Sequence, residues 1–176
     1  MKSPRLEFFL RYWLPPILWF GLISAFSTSL FAASLTLGWF ERILHLLMPS
    51  ISRATVLLIH TSCRKAAHFA EFFVLALLFY RAFRQDRPFT WRWSWGIPAW
   101  GLSVALSLLD EFHQLFVPHR SGSLRDALLD LVGALTAVLL LSVRARLAGA
   151  RSGPLPDHSL TQENRPAPTQ RDRADQ

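Results

Sequence analysis

Four apolar stretches, each about 20 residues long, constrain this chain more than any other feature; they fall at about 12–33, 66–83, 94–116 and 124–143. A helix rises 1.5 Å per residue, so a run of ~20 apolar residues crosses a ~30 Å hydrocarbon core. A helix on the surface of a soluble core carries a broad polar face, and these blocks show none. Hydrophobic residues make up 51% of the 176, and mean hydropathy is +0.24. The expectation is one all-α domain, a four-helix transmembrane bundle over 12–143, with a short cytoplasmic segment at 1–11 and a disordered cytoplasmic tail at 144–176.

The first block follows Lys2, Arg5 and Arg11, and the small residues around Ala32, Ala33 and Ser34 resemble a signal-peptide cleavage site. The apolar run is longer than a signal peptide needs, and three further spans follow it, so an uncleaved first helix is expected. Residues 34–64 read as an outer connection, with 53–64 as a candidate outward extension of the second span. Within it Phe40, Ile43, Leu44 and Leu47 share one helical face, which predicts a short interfacial helix ended by Pro49. The tail beyond residue 151 is rich in Pro, Gln, Arg and Asp and nearly devoid of apolar residues.

Charge sets the expected orientation. With the N-terminus inside, ten basic residues (Lys2, Arg5, Arg11, Arg81, Arg84, Arg87, Arg92, Arg144, Arg146, Arg151) flank the spans inside, against six outside (Arg42, Arg53, Arg64, Lys65, Arg120, Arg125). Trp13, Trp91, Trp93 and Trp95 mark the same inner interface. Both termini are therefore expected in the cytoplasm, with the chain in the inner membrane. The net charge of +7 then suits anionic lipid rather than nucleic acid, since no soluble domain carries a basic stripe. The single cysteine, Cys63, excludes an intramolecular disulfide and a cysteine-based zinc site.

Polar residues inside the spans point to a site. Lys65, His68 and Glu71 are three apart and share one flank of the second helix. Ser103, Ser107, Asp110 and Gln114 form a narrow stripe near the end of the third, beside Glu111 and His113. Pro118, His119, Arg120 and Gly122 then make a tight connection. Ser123 stands three residues before Asp126, a variant of the capping box. Asp126, Asp130, Gly133 and Ala137 lie on one face of the fourth helix, where small residues permit close contact. With alternating helix directions, all of these meet near the outer end of the bundle. Ionisable groups at membrane depth cost several kcal/mol unless paired or hydrated, so they mark function.

These motifs, Lys65-x-x-His68-Phe69-x-Glu71, Asp110-Glu111-Phe112-His113-Gln114 and Pro118-x-Arg120-Ser121-Gly122-Ser123 followed by Asp126 and the Gly133 region, resemble the VanZ-like family in order and spacing. The resemblance covers most of residues 10–143 and implies a small multi-helix membrane protein. It departs from the family's usual pattern at Phe72, where Tyr is frequent, at His119, where Gly is frequent, and at Asp130, where Asn is common. The family is named for a teicoplanin-resistance protein, which implies an effect on glycopeptide sensitivity but supplies no reaction.

Two classes of function fit. In the first, the protein binds or modifies an anionic envelope lipid or lipid-linked glycan. Lys65 and Arg120 hold phosphate or carboxylate, and His113, Gln114, Ser123, Asp126 and Asp130 complete the binding site. Glu71, Asp110 or Glu111 acts as base, and His68 as acid or proton shuttle. In the second, the protein is a non-enzymatic transporter component or envelope assembly factor. Acids confined to one end argue against a conduction path through the membrane. No cofactor motif is present. The carboxylates offer oxygen ligands to a divalent cation, but without an HExxH-like spacing. His45 and His60 fall outside the motifs, and Ser27, Thr28 and Ser29 are candidates to line the pocket but read mainly as residues solvating a helix end.

Overall fold

The computed structural model describes residues 3–118 and 122–151. Arg120 and the tail beyond 151 lie outside the described residues. The described chain is helical, with no strands. Helix α1 (Pro4–Phe8) continues through a widened π turn (Phe9–Trp13) into α2 (Leu14–Phe26). Pro15 and Pro16 explain the widening, because neither offers an N–H to the carbonyls one turn earlier. A 3₁₀ turn (Ser29–Phe31) leads to α3 (Ala33–Leu47). Then come α4 (Arg53–Arg84), α5 (Trp93–Gln114) and α6 (Leu124–Arg151).

Four stretches are long and apolar enough to cross a membrane: Pro4–Phe26, Ser29–Leu47, Arg53–Arg84 and Leu124–Ala148. Ser29–Leu47 falls in the segment expected to be an outer connection. Helix α5, which matches the expected span at 94–116, is not among the four. Its deficit has a physical source. It carries Ser103, Ser107, Asp110, Glu111 and Gln114, all of them buried. A polar stripe lowers a helix's hydropathy without facing lipid when neighbouring helices cover it. By contrast α3 has no buried residue and packs chiefly along α4. Helix α6 runs to Arg151, two turns past the expected span end at residue 143, so 144–151 continue the helix instead of opening a disordered tail.

The core of the bundle is α4, α5 and α6, with α2 alongside α4, and the most extensive packing joins α4 to α6. Gly133 makes that contact possible: a Cβ at this position would overlap the Phe69 carbonyl oxygen. Ala76, Ala134 and Ala137 extend the same small-residue seam. A second cluster, built from Ile23, Phe72, Leu75, Phe79, Tyr80, Trp95 and Ala99, joins α2, α4 and α5.

Beyond that cluster the helix ends form a basic, aromatic collar. Arg11 pairs with Asp86 at 3.0 Å. Arg11 and Arg81 lie over Tyr12, Arg84 and Arg144 over Phe89, and Arg87 and Arg92 over Trp95. Guanidinium groups stacked on rings keep charge at an interface while their stems cover apolar surface.

Replacing Gly133 by Ala should therefore destabilise the protein by roughly 1–3 kcal/mol through overpacking. Gly101→Ala, where an added Cβ meets nothing within 4 Å, should change little. Thermal unfolding in detergent micelles measures both.

Candidate functional site

At the end away from the collar, the buried stripe of α5 meets α2 and α6. Ser27 is only 5% exposed, and its hydroxyl donates to Asp110 Oδ2 at 2.6 Å. Gln114 Nε2 donates to the same oxygen at 2.8 Å and to Ser27 Oγ at 3.3 Å. The i, i+4 spacing of Asp110 and Gln114 brings them together on one helix, and the last residues of α2 close the triangle. Ser27 thus ties α2 to α5, beyond its main reading as a helix-end solvator, and it also lines the neighbouring cavity, the alternative reading of this residue. Ser103 turns its hydroxyl back to the Ala99 carbonyl at 2.8 Å and stays within its own helix.

One turn along α5 and across to α6 lies a second group. His68 Nδ1 stands 3.3 Å from Asp130 Oδ1. Neither atom has a hydrogen-bond partner of good geometry among the described residues, and the same holds for Glu111 Oε1. The other carboxylate oxygens are held: Ser107 Oγ donates to Asp130 Oδ2 at 2.8 Å, and the Ser123 backbone N–H donates to Glu111 Oε2 at 2.6 Å. Glu111 thus takes the N–H that a capping box would assign to Asp126. Gly122 permits this turn, since a Cβ there would collide with the Glu111 backbone carbonyl. Asp130 is 1% exposed and Glu111 7%. Measured along α4, His68 lies about 24 Å from the collar at Arg84, a distance shorter than the ~30 Å thickness of a hydrocarbon core.

Beside this group is a cavity of about 350 Å³, lined by Phe26, Phe31, Phe40, Arg64, His68 and Glu71 among others. Its walls come from α2, α3 and α4. Trp19 Nε1 donates to the Glu71 carbonyl at 2.9 Å, and Arg64 donates to the Phe31 carbonyl at 3.2 Å. His60, buried on α4, meets Thr36 Oγ1 at 3.1 Å and the Phe40 ring at 5.4 Å. These contacts draw α3 against α4 and shape the cavity's far wall.

The structure therefore distributes the sequence-derived candidates. Asp110 and Gln114 sit with Ser27; His68, Glu111 and Asp130 sit together, with Ser123 attached; Glu71 lines the cavity; Asp126 is half-buried near the start of α6. Lys65 and His113 are exposed. The cation lining the cavity is Arg64. It precedes Lys65 by one residue, a step of about 100° around the helix. Arg120 lies outside the described residues.

A family model described as VanZ/LLP1 matches residues 12–145. That range takes in every residue of the site. No curated protein and no solved structure matches the chain.

The Ser27–Asp110 bond is testable by a double-mutant cycle. Ser27→Ala and Asp110→Asn should each lower stability, with a coupling of roughly 1–2 kcal/mol in detergent unfolding. Strictly additive effects would show that α2 is not tied to α5 through this pair.

Proposed function

The chain belongs to the VanZ/LLP1 family, and we propose that its polar site binds or modifies an anionic lipid or lipid-linked glycan of the cell envelope. The observation that carries this reading is the two-sided chemistry of the cavity. Phe26, Phe31 and Phe40 supply apolar wall, while Arg64, His68 and Glu71 supply charge and proton-transfer groups. A volume near 350 Å³ lies within the ~300–1,000 Å³ range of small-molecule sites. An amphiphile with an anionic head matches such a surface, with its tail against the rings and its head toward the Arg64 guanidinium.

The reading includes an orientation. The arginine–aromatic collar marks the cytoplasmic face by the positive-inside tendency, with both termini inside, the protein in the inner membrane and the cavity toward the outer leaflet. From there the site meets envelope precursors. Altered glycopeptide sensitivity belongs to the same proposal, because capture or modification of such a precursor changes what the antibiotic encounters. A proton-coupled carrier is the weaker reading. The buried acids among the described residues, Asp110, Glu111 and Asp130, all stand in the half of the bundle away from the collar.

Purified protein should retain phosphatidylglycerol in preference to phosphatidylcholine, as read by native mass spectrometry. Arg64→Gln should reduce that preference roughly ten- to hundredfold, the equivalent of one lost charge-assisted hydrogen bond. Cys63, exposed and lining the same cavity, offers a second readout: bound anionic lipid should slow its alkylation. Equal retention of both lipids, unaffected by Arg64→Gln, would count against the reading. For orientation, Cys63 is first removed. An impermeant maleimide added from outside should then label His119→Cys and leave Arg87→Cys unmodified; the reverse pattern would invert the topology.

A further inference from the structure

We propose that His68, Glu111 and Asp130 form a binding site for one divalent transition-metal ion, Zn²⁺ or Mn²⁺. One ligand atom from each residue lies within 4.8 Å of the other two. Two donors at a tetrahedral angle, each ~2.1 Å from a shared ion, stand ~3.4 Å apart. The His68 Nδ1 to Asp130 Oδ1 separation is 3.3 Å.

Proximity alone would not make a site, since acids cluster for many reasons. Here the unsatisfied atoms are specific. Glu111 Oε1 lacks a hydrogen-bond partner among the described residues, His68 Nδ1 and Asp130 Oδ1 face each other at 3.3 Å without good hydrogen-bond geometry, and both acids are more than nine-tenths buried. A buried polar atom without a good hydrogen bond is costly, and three in one place call for a common partner. Each acid's second oxygen is meanwhile fixed, by the Ser107 hydroxyl on Asp130 and by the Ser123 N–H on Glu111. That is the pattern of metal ligands oriented by an outer layer of hydrogen bonds.

Charge points the same way. Two carboxylates at membrane depth leave a net negative charge even if the imidazole is protonated. A divalent ion with neutral His68 brings the three residues to zero. One nitrogen and two carboxylate oxygens suit Zn²⁺ or Mn²⁺ better than Ca²⁺ or Mg²⁺, which favour all-oxygen surroundings. Three protein ligands also leave a coordination position open, as in catalytic rather than structural zinc sites. His68 borders both, but the metal site is tested separately from what fills the neighbouring cavity, because its occupancy is measured without any lipid.

The test uses the full chain in detergent, from cells grown with added Zn²⁺ and Mn²⁺. Elemental analysis after gel filtration should find about one ion per chain. After chelation, Co²⁺ should titrate to a saturable visible absorption, and Zn²⁺ should displace it. E111Q and D130N should weaken binding by more than the roughly 10–100-fold expected of Ser107→Ala, which removes only an orienting contact. Asp110→Asn, in the neighbouring Ser27 network, should keep the ion. If the variants do not fold, the wild-type titration decides alone. Wild-type protein that neither retains Zn²⁺ or Mn²⁺ nor binds Co²⁺ saturably would overturn the proposal, and the orphaned oxygens would then share a proton. Binding that survives both E111Q and D130N would overturn it equally.

Discussion

The close approach of α4 and α6 at Gly133 is the constraint on which the site depends. With no Cβ in the way, the α6 backbone comes against the Phe69 carbonyl. His68 is the residue before Phe69, and Asp130 lies three residues before Gly133, almost one turn. The contact that brings two backbones together therefore brings the imidazole to the carboxylate. In lipid there is little hydrophobic drive between helices, so close packing of small residues and a few polar bonds must hold them. The seam of Gly133, Ala134, Ala137 and Ala76 supplies the first, and Ser107 with Asp130 supplies the second.

The molecule is divided by chemistry along its length. One end gathers arginines on aromatic rings, where charge is met by π faces and an aspartate. The other gathers carboxylates held by serine, glutamine and a backbone amide. Between them lies an apolar cluster of Ile23, Phe72, Leu75, Phe79 and Ala99. Such a polarity distinguishes the two ends of the bundle before any ligand is considered, and it confines the buried acids among the described residues to one half.

Much of this was legible in the residues. Spacing of three and four placed Ser103, Ser107, Asp110 and Gln114 on one stripe of α5, and that stripe is buried. The face of α6 carrying Asp130, Gly133 and Ala137 is buried as well. Helical period determines such faces locally, so a sequence displays them. What the sequence does not display is pairing across long separations. Ser27 meets Asp110 from 83 residues away, and nothing local distinguishes it from Thr28 or Ser29. His60 found its partners only when α3 folded back onto α4. The choice between Arg64 and Lys65 turned on one step around a helix, which motif spacing cannot resolve. Hydropathy alone also ranks Ser29–Leu47 above α5 as a span, because it cannot tell a polar stripe facing protein from one facing lipid.

Helix α4 has 32 residues with neither glycine nor proline, a rod of about 48 Å against a ~30 Å hydrocarbon core. To fit within that core it would have to lean by about 50°, well beyond the ~20° usual for membrane helices. At that usual tilt part of the rod must stand clear of the hydrocarbon, and α3 is fixed to the rod through the Thr36–His60 contact. Mechanically this is a lever without a joint. With no glycine or proline to bend it, the shaft holds the α3–α4 contact and His68 in one fixed relation.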